Sequence, residues 1–193
     1  QANCADITDI IWSAGEHNVT IWANDTQNNI GSSDVTFTID LTAPVFSVIA
    51  NQTVEYASAF AYDLNATDAV GVECFSVNDT TNFVMNCSGY LENNTLLSLQ
   101  LYDLNVTIND SSGNENSQLM WVNVTDTIAP TFTTIANQSS WDLDAFSYNL
   151  VATDAHNVSC YGVNDTTNFA INCSGYLENN TALAVGLYDL NIT

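Results

Sequence analysis

The chain contains no lysine and no arginine, against 22 aspartates and glutamates, for a formal net charge of −22 at pH 7. A nucleic-acid surface needs cationic side chains to displace counterions from phosphates, so DNA and RNA are excluded as partners. Electrostatic attachment to anionic lipid is excluded for the same reason. No side-chain cation is available to clamp a phosphate or stabilise an oxyanion, which weighs against catalysis. No stretch approaches 18 uninterrupted apolar residues, so no segment has the make-up of a membrane-spanning helix. No segment shows a sustained helical period with caps. No signal peptide is visible, so in an exported protein Gln1 lies downstream of the cleavage point. Two histidines, His17 and His156, occupy non-matching positions without a Cys or Ser partner at useful spacing, and read as buried or turn residues.

What is present is repetition. Residues 43–107 and 129–193 are one sequence written twice, 86 positions apart, with 41 of 65 positions identical and no gap. DTTNF recurs at 79–83 and 165–169, and NCSGYLENNT at 86–95 and 172–181. A long, exact period marks a modular array. Enzymes seldom need one unit twice in line, whereas fibres, stalks and coats do. The period predicts a diverged partial repeat over 1–42, a complete one over 43–128, and one lacking its last strand over 129–193. The outer two are either cut from a longer array or completed by strand donation between molecules.

Apolar residues make up 46% of the chain, enough for a core. Residues 43–128 parse as seven short strands. The first runs through Phe46, Val48 and Ile49, with a second segment at 54–56; the others are near 59–66, 72–78, 82–87, 95–101, 102–109 and 118–125. Phe60, Tyr62 and Leu64 alternate at period two, as do Tyr102, Leu104, Val106 and Ile108, and Met120, Val122 and Val124. Asx, Gly and Ser clusters separate the runs. The fold class is all-β: tandem seven-stranded Greek-key sandwiches in a linear array. The segment 1–40 aligns as the fifth to seventh strands of such a unit.

Four of the five cysteines repeat with the unit: Cys74 and Cys87, then Cys160 and Cys173. Each pair reads as an intra-repeat disulfide formed in an oxidising compartment; zinc would have too few ligands. A hairpin between the third and fourth strands, turning at Thr80 and Thr81, would set Cys74 opposite Cys87. The partner of Cys4 would lie before Gln1 or on another molecule.

Asn-X-Ser/Thr occurs at Asn18, Asn24, Asn51, Asn65, Asn78, Asn86, Asn93, Asn105, Asn109, Asn123, Asn137, Asn157, Asn164, Asn172, Asn179 and Asn191. That is roughly threefold more than chance pairing of 26 Asn with 38 Ser and Thr, and it predicts covalent N-linked glycans on a secreted surface. Asn86 and Asn172 abut cysteines and are expected to be poorly accessible. Sugars would guard strand edges that other proteins protect with Lys.

Seven alternating strands bring the second-to-third and sixth-to-seventh loops to the end where the linker arrives. That gathers Asp40, Asp68 and Asp110 for the central unit, Asp126 and Asp154 for the next, and Asp25 as the counterpart of Asp110 in the first segment. Hard oxygen ligands from separate loops, without a competing cationic side chain, suit calcium. Other reads of these residues are turn caps and a glycosidase-like carboxylate pair; a metal site between repeats is the more economical use. Glu55, Glu73, Asp79, Glu92 and Asp103 read as mostly solvated. Trp141 stands where Glu55 has its counterpart, with Asp142 and Asp144 nearby.

The series AYDLNATD, CFSVNDTTNFVMNCSGYL, YDLNVTINDSSGN and VNVTDTIAP resembles cadherin-like and related Ig-like repeats of prokaryotic surface proteins, over all of 43–128 and most of 129–193. The Asn- and Thr-rich composition is similar to that of archaeal exported repeat proteins. The resemblance implies that Asp68, Asp110 and Asp40 bind calcium between successive domains. This chain has one Asp at 68 where Asp-X-Asp is usual, and a short linker, which lowers the implied number of ions. The expectation is a non-enzymatic structural component of an extracellular filament or surface coat, self-associating and taking no small-molecule substrate. The alternative is the stalk of a cell-surface adhesin whose binding domain lies elsewhere. Trp12, Trp22, Trp121 and Trp141 do not follow the 86-residue period.

Overall fold

The computed structural model describes residues 10–141 and 144–193, and the described residues form strands and turns without a helix. The chain divides into two compact units, one running to Val54 and over Ser58–Val124, the other over Glu55–Ala57 and Thr125–Thr193. Cys4 and Asp142 lie outside the described residues.

The first unit begins with a ribbon of β1 (Gly15–Asn24) and β2 (Ile30–Ile39), antiparallel from Gly15↔Ile39 to Asn24↔Ile30. Residues 10–13 form no strand, so a fifth-strand equivalent is not found in the described part of this segment. The His17, Trp12 and Phe37 rings form a mutual cluster, with His17 centroids 4.8 and 5.6 Å from Trp12 and Phe37 and those two 5.1 Å apart. Its Nε2 lies 2.8 Å from the Ser13 carbonyl oxygen.

A two-sheet sandwich follows. Its strands are β3 (Val45–Phe46), β4 (Gln52–Glu55), β5 (Ala61–Asp63), β6 (Ala66–Thr67), β7 (Val72–Val77), β8 (Phe83–Met85), β9 (Tyr90–Asn93), β10 (Leu101–Asp110) and β11 (Glu115–Thr125). One sheet runs β4-β11-β10-β7; the other side is formed by β5-β9-β8 and the pair β3-β6. The expected first strand is therefore split between the two sides, and Val48 between its halves is 94% exposed. Alternation works as the sequence predicts. Tyr102, Leu104, Val106 and Ile108 of β10 and Met120, Val122 and Val124 of β11 are buried. Phe60 and Leu64, which flank β5, and Phe75, Phe83 and Leu91 of β7, β8 and β9 complete the buried core. Phe83 stands edge-on to both Phe60 and Tyr102, 5.9 and 5.4 Å between centroids, a geometry favoured by ring quadrupoles. The Tyr102 hydroxyl accepts from the Ser98 amide at 2.9 Å, a tyrosine corner that fixes the approach to β10.

Two strand expectations are corrected. The fifth strand is β9 at Tyr90–Asn93; 95–100 is a loop anchored by buried Leu97. The expected hairpin between the third and fourth strands is an arch instead, because β7 and β8 belong to different sheets. The cause is Asp79, whose Oδ1 accepts from the amides of Thr81 and Asn82 while its carbonyl accepts from the Phe83 amide at 3.2 Å. That compact turn crosses the sandwich and delivers Phe83 to the core. The Cys74–Cys87 disulfide forms as expected, but it joins the two sides of the sandwich rather than two paired strands.

The second unit repeats one side in detail. It has β12 (Thr131–Phe132), β13 (Ser147–Asn149), β14 (Ala152–Thr153), β15 (Phe169–Ile171) and β16 (Tyr176–Asn179), paired as β12-β14 and β13-β16-β15. The Cys160–Cys173 bond and the aromatic set Phe146, Phe169 and Tyr188 are reproduced. The other side is reduced to a bridge between Val163 and Ile192. A groove of about 680 Å³ there is lined by Phe146, Leu150, Phe169, Leu177, Tyr188 and Leu190.

Candidate metal centre

Each of three aspartates is held by its own turn. Asp40 Oδ1 accepts from the Thr42 amide at 3.0 Å, in the linker between β2 and β3. Asp68 Oδ1, past β6, accepts from the amides of Val70 and Gly71 at 2.8 and 3.1 Å. Asp110 ends β10, where its Oδ1 accepts from Ser112 and Asn114 amides and its Oδ2 from Asn114 Nδ2 at 2.8 Å. These are Asx turns, in which a short carboxylate ties down amides two to four residues on. Gly113, at φ 85°, supplies the left-handed residue that closes the last one.

The three turns converge. One carboxylate oxygen from each of Asp40, Asp68 and Asp110 lies within 4.8 Å of the others, and among the described residues this is the one such group of three or more. Asn114 Nδ2 also donates to the Asp40 carbonyl at 3.2 Å, and Asn116 Nδ2 to the Pro44 carbonyl at 2.9 Å, so the β10–β11 hairpin holds the linker against the site. Asp110 is fully buried, the other two half-buried. Burial by itself would raise the Asp110 pKa; hydrogen bonds from the Asn114 side chain and amide and from the Ser112 and Gly113 amides outweigh it and hold the carboxyl below its ordinary value.

Asp40 Oδ2 is buried and accepts no hydrogen bond. A buried carboxylate oxygen without a donor, beside two further carboxylates, is costly unless a cation completes it. The chain has no Lys or Arg to do so. Three carboxylates on rigid turns, all oxygen donors, fit a hard divalent ion such as calcium.

The other acidic candidates are placed differently. Asp25 reproduces the Asp110 turn bond for bond: Oδ1 accepts from Gln27 and Asn29 amides and Oδ2 from Asn29 Nδ2, with Asn28 at φ 67° in the position of Gly113. Asp126 and Asp154 are half-buried; Asp154 caps the His156 amide at 2.7 Å. No third carboxylate joins Asp25, Asp126 or Asp154 among the described residues. Glu55, expected to be mostly solvated, is half-buried and hydrogen-bonded. It accepts from the Thr127 amide at 2.8 Å and the Thr127 hydroxyl at 2.7 Å, and those two bonds, hydroxyl first, lower its pKa. Asp79 likewise caps a turn, and Glu73 Oε2 accepts from Asn109 Nδ2 at 2.8 Å.

None of the sixteen sequon asparagines is buried, and Asn86 and Asn172 are exposed despite the adjacent disulfides. Some have other work. Asn93 Oδ1 accepts from the Phe60 amide while its Nδ2 donates to the Thr95 carbonyl, and Asn179 does the same with Phe146 and Thr181. Asn109 and Asn164 also donate through Nδ2. The sequon pattern alone carried no sign of these bonds.

No family model matches the chain, and no curated protein matches it. Solved structures with a similar course include EC1-4 of Drosophila N-cadherin, at 20% identity over 96% of this chain and 54% of that one, with a TM-score of 0.43. The protocadherin gamma-B4 extracellular domain matches at 19% identity over 89% of this chain and 35% of that one, with a TM-score of 0.43. Mouse cadherin-23 EC22-24 matches at 18% identity, 92% and 67% coverage, and a TM-score of 0.40. The chain thus spans about half the length of the first of these structures and about a third of the second.

Proposed function

We propose that this chain is part of an extracellular filament or surface coat, a self-associating series of sugar-covered β-sandwiches in which calcium ties each linker to the loops of the sandwich that follows. The observation that carries the reading is the convergence of Asp40, Asp68 and Asp110, with the buried Asp40 oxygen left without a donor, in a chain that has no cationic side chain. Asp126 and Asp154 are the repeat of Asp40 and Asp68, and Asp25 is the repeat of Asp110. The repeat limits are 1–42, 43–128 and 129–193. The three central carboxylates would hold the ion; bound, it would supply the positive charge that the chain lacks and stiffen the linker at Asp40. Modules of this kind bind calcium at about 10⁻⁴–10⁻³ M, matched to an extracellular setting.

Two disulfides within repeats support an oxidising compartment. Sixteen unburied sequons support N-linked sugars. Sugars and calcium would both reduce the self-repulsion of a chain at −22, which otherwise opposes assembly. Electron microscopy of the native protein with and without chelator tests the reading: filaments or a lattice that lose stiffness without calcium are expected. Isolated monomers carrying a distinct tip domain would make the array an adhesin stalk instead.

A further inference from the structure

The outer face of the β10–β11 ribbon carries an apolar cluster, Leu101, Leu119 and Trp121, among otherwise polar residues. Leu119 is 76% exposed, Leu101 is 52% exposed, and half-buried Trp121 lies between them. All three point away from the core, since Met120, Val122, Tyr102 and Leu104 on the opposite face are buried. Antiparallel register sets Asn105 directly opposite Leu119, Asn123 directly opposite Leu101, and Asp103 opposite Trp121. Directly opposed side chains on one sheet face are about 5 Å apart at Cβ, and diagonal neighbours about 7–8 Å. Trp121 is a diagonal neighbour of Asn105 and shares a face, two residues on, with Asn123. Both asparagines begin sequons, and their hydroxyl partners Thr107 and Thr125 fall on the same face by the period of two. Neither side-chain amide nitrogen is engaged in a hydrogen bond among the described residues, in contrast to Asn109, also on β10, whose Nδ2 donates to Glu73 of β7.

We propose that Asn105 and Asn123 carry N-linked sugars whose first residues lie down on Leu119, Trp121 and Leu101 and form the missing cover of this sheet face. This rests on the glycosylation part of the function proposed above and goes further by saying where two sugars sit and what they touch. A pyranose ring has one face of C–H groups and a rim of hydroxyls, so it shields apolar side chains while keeping its outer side wet. That is the amphipathic role long Lys and Arg stems play on other sheets, and this chain has neither. Trp is the best side chain for such a contact, having a broad, flat, electron-rich face.

The test uses native glycosylated protein and four variants, N105Q, N123Q, T107A and T125A, the last two removing a sequon while keeping its asparagine. Site-resolved mass spectrometry of glycopeptides is read first, then tryptophan emission and acrylamide quenching. Occupancy is expected at Asn105 and Asn123. Loss of either sequon, by either route, is expected to red-shift the emission and raise quenching, and the change should vanish in a W121F background. Occupied sites with unchanged Trp121 quenching in all four variants would overturn the contact while leaving glycosylation intact. Bare asparagines at 105 and 123 beside occupied sequons elsewhere would overturn this placement alone. An intact mass equal to that of the bare polypeptide would remove both this inference and the sugars of the proposed function.

Discussion

Asn93 clamps Phe60: its side-chain oxygen accepts the Phe60 amide at 2.8 Å where β5 begins, and its nitrogen donates to the Thr95 carbonyl at 2.9 Å. Asn179 holds Phe146 at the same 2.8 Å in the second unit. Removing the clamp leaves a partly buried amide unsatisfied, which costs about 1–3 kcal/mol. Asn93→Ala is therefore expected to lower Tm by several degrees, while Asn65→Ala, an exposed sequon, changes stability by less than about 0.5 kcal/mol. Thermal unfolding of the two unglycosylated variants checks the contrast; equal effects would remove the structural role of Asn93.

Calcium should stabilise by mass action. At free calcium from about one to ten times a dissociation constant in the extracellular range, the gain is roughly 0.4–1.4 kcal/mol. Calorimetry with calcium and with chelator should differ by a few degrees, and Asp68→Asn should abolish the difference. Asp40→Asn should also lose the calcium response. In chelator it should be no less stable than the parent, because it removes a buried charged oxygen that has no donor. A parent protein indifferent to chelator would take the metal out of the account.

Acid should loosen the turns capped by Asp79 and Asp165. Asp79 and Asp165 have lowered pKa values, chiefly from the side-chain amides of Asn82 and Asn168. With folded values below the ordinary 3.8, the unfolded chain binds more protons, so this stabilisation is present above pH 3.8 and is lost as pH falls through the folded values. Chemical denaturation in chelator across pH 2–5 should show stability falling with pH in that window. Asp79→Ala should flatten the slope; an unchanged slope in that variant would show that the Asp79 cap does not contribute.

Gly89, at φ 93°, packs so closely on the Leu64 carbonyl that a Cβ would collide with its oxygen, and Gly175 meets Leu150 in the same way. The backbone conformation and the collision act together, so Gly89→Ala is expected to destabilise by well over about 1 kcal/mol. Gly113→Ala, with open space around it, should cost only the conformational part. Comparable denaturant midpoints for the two variants would contradict the packing account.

The parts of this fold that could be read in advance were those governed by local alternation. Leu104, Val106 and Ile108 show their period of two in any window, and their burial followed. The disulfides followed from a cysteine pair that repeats with the unit. The strand geometry around them did not, because an Asx turn at Asp79 decides whether the chain reverses within a sheet or crosses between sheets. DTTN has the composition of either turn. The fifth strand was misplaced because Leu97, a loop anchor, reads as a strand residue, whereas YLEN at 90–93 is too short to show alternation. The carboxylate cluster was legible because strand parity fixes which loops share an end. The unsatisfied Asp40 oxygen and the Glu55–Thr127 bonds depend on side-chain directions in three dimensions, which no spacing encodes.

The arch between β7 and β8 also bears on how the protein behaves under load. The Cys74–Cys87 bond spans a sequence separation of 13. At about 3.4 Å per extended residue, it withholds roughly 40 Å of contour from the thread released when a sandwich is pulled open by its ends. Tension passes through the sulfur bridge and leaves the enclosed arch slack, so Phe83 and its turn are not drawn out with the strands outside. A unit built this way lengthens less at each rupture than its full contour would allow.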